Sequence, residues 1–128
     1  MNWSKVYNKN DELKLINKIN DIARCLKRND KHEISLFGGK IGISLFFMYY
    51  AKYVDNQEPY DYAMELLLSV FDDINHNGYN FHTHASGLAG ISTTFEILAK
   101  EDFIEANTEE LLIDCFLIFY IWIMQSWN

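Results

Sequence analysis

One proline in 128 residues, Pro59, leaves no room for a proline-rich linker, and no low-complexity stretch breaks the chain. Cysteine is equally scarce. Cys25 and Cys115 stand far apart, each inside a helically periodic apolar segment, which reads as two buried thiols in a reducing, cytoplasmic compartment. Spacing alone leaves a disulfide between them open, and compartment weighs against it. The opening residues, 1–10, are polar and carry no apolar h-region, so no secretory signal is expected. Positive charge is nearly missing from the second half. Residues 56–128 contain only Lys100 against twelve acidic residues, whereas residues 1–55 carry ten basic and six acidic ones. Two solvated faces of opposite sign explain this more simply than steering of a basic partner. The densest basic group, Lys27, Arg28 and Lys31, is interrupted by Asp30 and Glu33, so no nucleic-acid surface is expected. Nor is there an apolar run long enough to span a bilayer. The longest, Cys115 to Met124, is too short even when Leu111 to Ile113 is added across Asp114.

What the chain does have is a repeat. Gly39, Gly42, Ile43, Ser44, Phe47, Ala51 and Lys52 recur as Gly87, Gly90, Ile91, Ser92, Phe95, Ala99 and Lys100, each at an offset of 48 residues. A period of that length points to stacked supersecondary units. Nearly half of the residues are hydrophobic and 16% are aromatic, enough for a packed core in a single domain over residues 1–128.

Periodicity predicts five helices and no convincing strand. The first covers Asp11 to Arg28, capped by Asn10, with Leu15, Ile19, Ile22, Ala23 and Leu26 on one stripe. The second, Lys40 to about Val54, is apolar nearly all round and reads as an inner helix. The third begins with Pro59 at its first position and places Ala63, Leu66, Leu67, Val70, Phe71 and Ile74 on one face, with Asp61, Glu65 and Asp72 on the wet side. Residues 75–80 read as a loop in which Gly78 takes a positive φ. The fourth, Leu88 to Lys100, repeats the second. The fifth runs from about Asn107 to Met124 and is apolar on every side toward its end, so residues 111–124 are expected to self-associate or be covered by a partner chain. The expected fold is all-α: helical-hairpin repeats, near residues 35–75 and 83–124, forming part of an incomplete α/α toroid.

Both inner helices open with Gly-x-x-Gly. The first glycine, Gly39 or Gly87, is expected to leave the loop at a φ other residues avoid, and the second, Gly42 or Gly90, to let a neighbouring helix come close.

The segments Ser35-Leu-Phe-Gly-Gly-Lys-Ile-Gly-Ile-Ser44, Ser86-Gly-Leu-Ala-Gly-Ile-Ser92 and Pro59-Tyr-Asp-Tyr-Ala63 resemble the opening repeats of the lanthionine synthetase C-like family. The resemblance covers about residues 30–105. It implies an α/α toroid, an N-terminal fragment of a longer peptide cyclase, and a peptide substrate. In the complete family a zinc ion holds a substrate cysteine as thiolate, which adds to a dehydroamino acid. The zinc ligands are two cysteines and a histidine, one pair in a Cys-His-Gly motif. This sequence has no Cys-His-Gly, and the positions before the repeat glycines are Gly38 and Ser86 rather than histidine. The resemblance therefore assigns no catalytic residue, no metal ligand and no zinc to this chain.

Other constellations are weaker. His82 and His84 alternate just before the fourth helix, with His76 and Cys115 as remote supplements, but no third ligand sits at a metal-site spacing. As loop residues bordering a toroid cavity, His82 and His84 are candidate substrate contacts. Asp72 and Asp73 are helix neighbours that point apart. Ser44 and Ser92 have no base nearby in sequence, which favours packing roles. A carbohydrate-active toroid would need paired carboxylates, and the inner helices offer only Glu96 and Glu101. A non-catalytic repeat module that docks a partner through the apolar C-terminal helix is the alternative to the cyclase fragment.

Overall fold

The computed structural model describes residues 8–28, 33–78 and 87–105, the side chain of Asn75 apart. These residues form four α-helices and no strand: α1, Lys9–Arg28; α2, Lys40–Val54; α3, Gln57–Asn77; and α4, Leu88–Lys100. The all-α expectation is met among the described residues. The expected fifth helix, with the apolar residues 111–124 and Cys115, and the pair His82 and His84 lie outside them. No described helix is long and apolar enough to cross a membrane. The chain falls into two compact units, Met1–Asp30 and Lys31–Asn128.

In the first unit, α1 starts two residues before the sequence-based boundary. Asn8, not Asn10, is the cap: its Oδ1 accepts from the amides of Asn10 and Asp11, both at 3.0 Å. Asp11 and Glu12 then sit in the first turn and Lys27 and Arg28 in the last, the arrangement the helix dipole favours. The apolar stripe is only partly covered. Ala23 is buried, but Leu15 and Ile22 are exposed. Cys25 is exposed too, which corrects the buried-thiol expectation: it flanks the stripe instead of lying on it.

In the second unit, α2 and α3 form a hairpin joined by Asp55 and Asn56. Such a short link forces antiparallel neighbours. Two contacts show that order directly. Lys40, at the start of α2, pairs with Asp73 near the end of α3 at 2.8 Å, and Phe47 meets Tyr62 edge to face at 4.9 Å near the middle. The turn is made by Asp55 in the left-handed region, φ 51° and ψ 51°, whose amide donates to the Ala51 carbonyl. Asn56 follows as the N-cap of α3, accepting from the Glu58 amide at 3.2 Å. Asn56→Ala is expected to lower stability by about 1 kcal/mol, read as a shift in the urea midpoint with an unchanged slope. Pro59 is the third helical residue and not the first. It is tolerated there for the same reason, because amides of the first turn have no intrahelical acceptor. Gly78 closes α3 with φ 67°, as expected, although the helix persists through Asn77, past the predicted start of the loop.

The inner character of α2 is plain in its burial. Ile41, Ile43, Ser44, Phe47, Met48 and Ala51 are all buried, more than one face can account for. It packs along α3 and also touches α4. On α3 the predicted stripe supplies Ala63, Leu67 and Val70 to the core, with Asp61, Glu65 and Asp72 exposed. α4 buries Leu88, Ile91, Phe95 and Leu98, and its Phe95 ring lies 5.1 Å from Phe71 of α3.

Candidate functional site

The doubled Gly-x-x-Gly is built at its first copy as a backbone clasp. Gly39 caps α2 with no side-chain hydrogen bond, at φ −122° and ψ −165°. Gly87 caps α4 in the same way at φ −133° and ψ −168°. Both are ordinary extended conformations, so a forbidden φ is not what selects these glycines. At Gly39 the reason is space. The chain before α2 folds back over the helix start, and its carbonyls do the capping. Glu33 accepts from the Lys40 amide at 2.8 Å, and Ser35 accepts from the Gly39 amide at 3.1 Å and the Gly42 amide at 3.5 Å. A Cβ on Gly39 would run into the backbone of Glu33 and Ser35, and one on Gly42 into the Leu36 carbonyl. The close partner of Gly42 is therefore the preceding loop, and not a neighbouring helix as the sequence suggested. Gly38 differs: a Cβ there would make ordinary contacts, 3.5 Å to the Glu33 carboxylate.

The remaining sequence candidates disperse. Ser44 donates to the Ile41 carbonyl at 2.8 Å and Ser92 to the Leu88 carbonyl at 2.9 Å, so both hydroxyls are satisfied within their own helices. Asp73 pairs with Lys40 while Asp72 faces solvent, so the adjacent carboxylates share no site. Glu96 is engaged by Lys100 at 2.6 Å along α4. His76 is exposed, its Nδ1 at 2.8 Å from the Asp72 carbonyl. Among the described residues no three His, Cys, Asp or Glu side chains converge to hold a metal ion. Cys25 is exposed on α1 and the sequence has no Cys-His-Gly, so the described residues do not assemble the two-cysteine, one-histidine set of the family that the sequence resembles.

One cleft escaped sequence reasoning. About 650 Å³ in volume, it opens where the C-terminal ends of α2 and α4 meet the N-terminal turn of α3. Met48 and Ala51 form its floor, Tyr60 and Phe103 its aromatic wall, and Asp55 and Asp102 belong to its rim. Its wall is fixed by the end of α4. Asp102 takes a left-handed conformation, φ 56°. Phe103 then donates to the Leu98 carbonyl at 2.9 Å and Asp102 to that of Ala99 at 3.2 Å, a Schellman closure. The Tyr60 hydroxyl donates to the Phe103 carbonyl at 2.9 Å, tying this turn to α3. The only local signal was the recurrence of Asp shortly after Ala-Lys, at Asp55 and Asp102.

Compared with known protein families, curated proteins and solved structures, the chain matches none.

Proposed function

We propose that this chain forms the opening repeats of a lanthionine synthetase C-like α/α toroid, supplying wall and cavity lining to a cytoplasmic peptide cyclase and none of its zinc ligands. The observation that carries the reading is the paired Gly-led helix start. Gly39 and Gly87 sit 48 residues apart and cap α2 and α4 at nearly the same φ and ψ. The placing of α2, against both its hairpin partner and the next Gly-led helix, is what an inner helix of a toroid requires. On this reading the peptide substrate passes the N-terminal ends of α2 and α4, beside the stretch that carries His82 and His84, and a completing chain or region brings the metal centre.

The test is a crystal structure that includes residues 79–86 and 106–128, combined with a zinc titration. The expected result is that α4 superposes on α2 by rotation about one external axis, with substoichiometric zinc and no thioether formed from a dehydrated, cysteine-containing peptide. Stoichiometric zinc with cyclisation by this chain alone, or an α4 that packs with no such rotation, overturns it. The apolar run Cys115 to Met124 favours a second reading, a repeat module that docks a partner without catalysis. A cooperative monomer in light scattering, unchanged by mutations in residues 111–124, removes the basis for that alternative.

A further inference from the structure

We propose that the cleft at the C-terminal ends of α2 and α4 binds the arginine side chain of an extended peptide, a role independent of the toroid reading and at the opposite helix ends from the glycine clasp. Its volume, about 650 Å³, lies within the range of about 300–1,000 Å³ typical of ligand sites. That exceeds what one side chain fills and leaves room for flanking residues. Met48 and Ala51, both buried, close the floor, and the half-buried rings of Tyr60 and Phe103 offer the apolar surface on which an aliphatic stem would lie. Asp55, Glu101 and Asp102 carry carboxylates at the rim, and the C-terminal, negative ends of α2 and α4 both border the cleft.

Those charges alone would make only a solvated acidic edge. What makes a cation site is the aromatic wall, because the molecule already seats a cation on it. The Lys52 ammonium lies 5.5 Å from the centre of the Phe103 ring, and Lys52 itself lines the cleft. The ring is held for this contact. Tyr49 meets it edge to face at 5.1 Å, and Tyr60 holds its backbone carbonyl. Lys52 is a long, exposed side chain, so it acts as a displaceable stand-in. A guanidinium is the better occupant, since it stacks flat on an aromatic face while its edge takes a carboxylate in bidentate fashion. On binding, Lys52 swings outward and the guanidinium takes its place between Phe103 and the rim.

The experiment is fluorescence anisotropy with a labelled Ala-Leu-Arg-Leu-Ala peptide and its citrulline twin, which keeps the shape and removes the charge. The arginine peptide should bind at least about tenfold more tightly at low salt, a difference that 0.5 M salt reduces. Asp55→Asn with Asp102→Asn should erase that preference, asparagine being tolerated in the left-handed region, and Glu101→Gln should weaken it with an unchanged melting temperature. Lys52→Gln, which removes the stand-in, should tighten the arginine peptide several-fold. Equal affinity for the two peptides, no binding of either, or a weaker complex with Lys52→Gln overturns the proposal. Spermidine competing as well as the peptide overturns it in favour of a free-polyamine site.

Discussion

Gly42→Ala is expected to destabilise the protein by about 2–3 kcal/mol, although the same change within a helix ordinarily stabilises by up to about 1 kcal/mol. The sign reverses because an alanine methyl at 42 would fall on the Leu36 carbonyl oxygen, backbone that cannot rotate aside. Moving that loop would break the Glu33 to Lys40 and Ser35 to Gly42 hydrogen bonds, leaving first-turn amides of α2 without acceptors. Gly38→Ala is the control. Its methyl would make ordinary contacts with the Glu33 and Ser35 side chains, so stability should stay within about 0.5 kcal/mol. Gly90 is buried one turn into α4, but its amide donates to the Gly87 carbonyl at 3.1 Å, so Gly90→Ala reads only whether a methyl is excluded at the second copy. Urea unfolding of the three variants decides it. A Gly42→Ala protein as stable as the parent would reduce the motif to a generic helix-start preference.

The clasp also shows how far sequence reaches. The 48-residue offset located the starts of both Gly-led helices, because the glycines at Gly39 and Gly87 are local signals. The reason for the glycines was not legible. A Gly-x-x-Gly pattern says that a side chain is excluded, and cannot say whether a helix or the preceding loop excludes it. The cap of α1 was misplaced by two residues because Asn8 and Asn10 are equally good candidates on paper, and only geometry shows which oxygen meets the amides. Cys25 is exposed because a place inside an apolar-periodic segment is not a place on its stripe, and Cys25 falls on the flank. The cleft was invisible for another reason. Its walls come from residues 48–60 and 101–103, and no motif links Lys52 to Phe103 before the chain folds.

Phe47→Ala and Phe95→Ala, equivalent positions in the two inner helices, are expected to fail differently. Each removes a buried aromatic side chain, a change that costs about 3–5 kcal/mol. Phe47 is fully buried and meets Tyr62 of its own hairpin, as well as Phe46 and Tyr50 on its own helix. Its loss strikes the α2–α3 interface, the most extensive helix contact among the described residues, and should abolish slow amide exchange in α2, α3 and α4. Phe95 instead reaches back to Phe71 on α3, in the preceding hairpin. It is a contact between repeats, and repeat proteins gain stability from such interfaces in addition to the units themselves. Phe95→Ala should therefore release α4 first, with Leu98 and Ile91 losing protection while Met48 and Val70 keep theirs. Hydrogen exchange followed residue by residue separates the two outcomes. If both variants lose protection uniformly, α2, α3 and α4 form one indivisible core, and the hairpin is not a stacking unit.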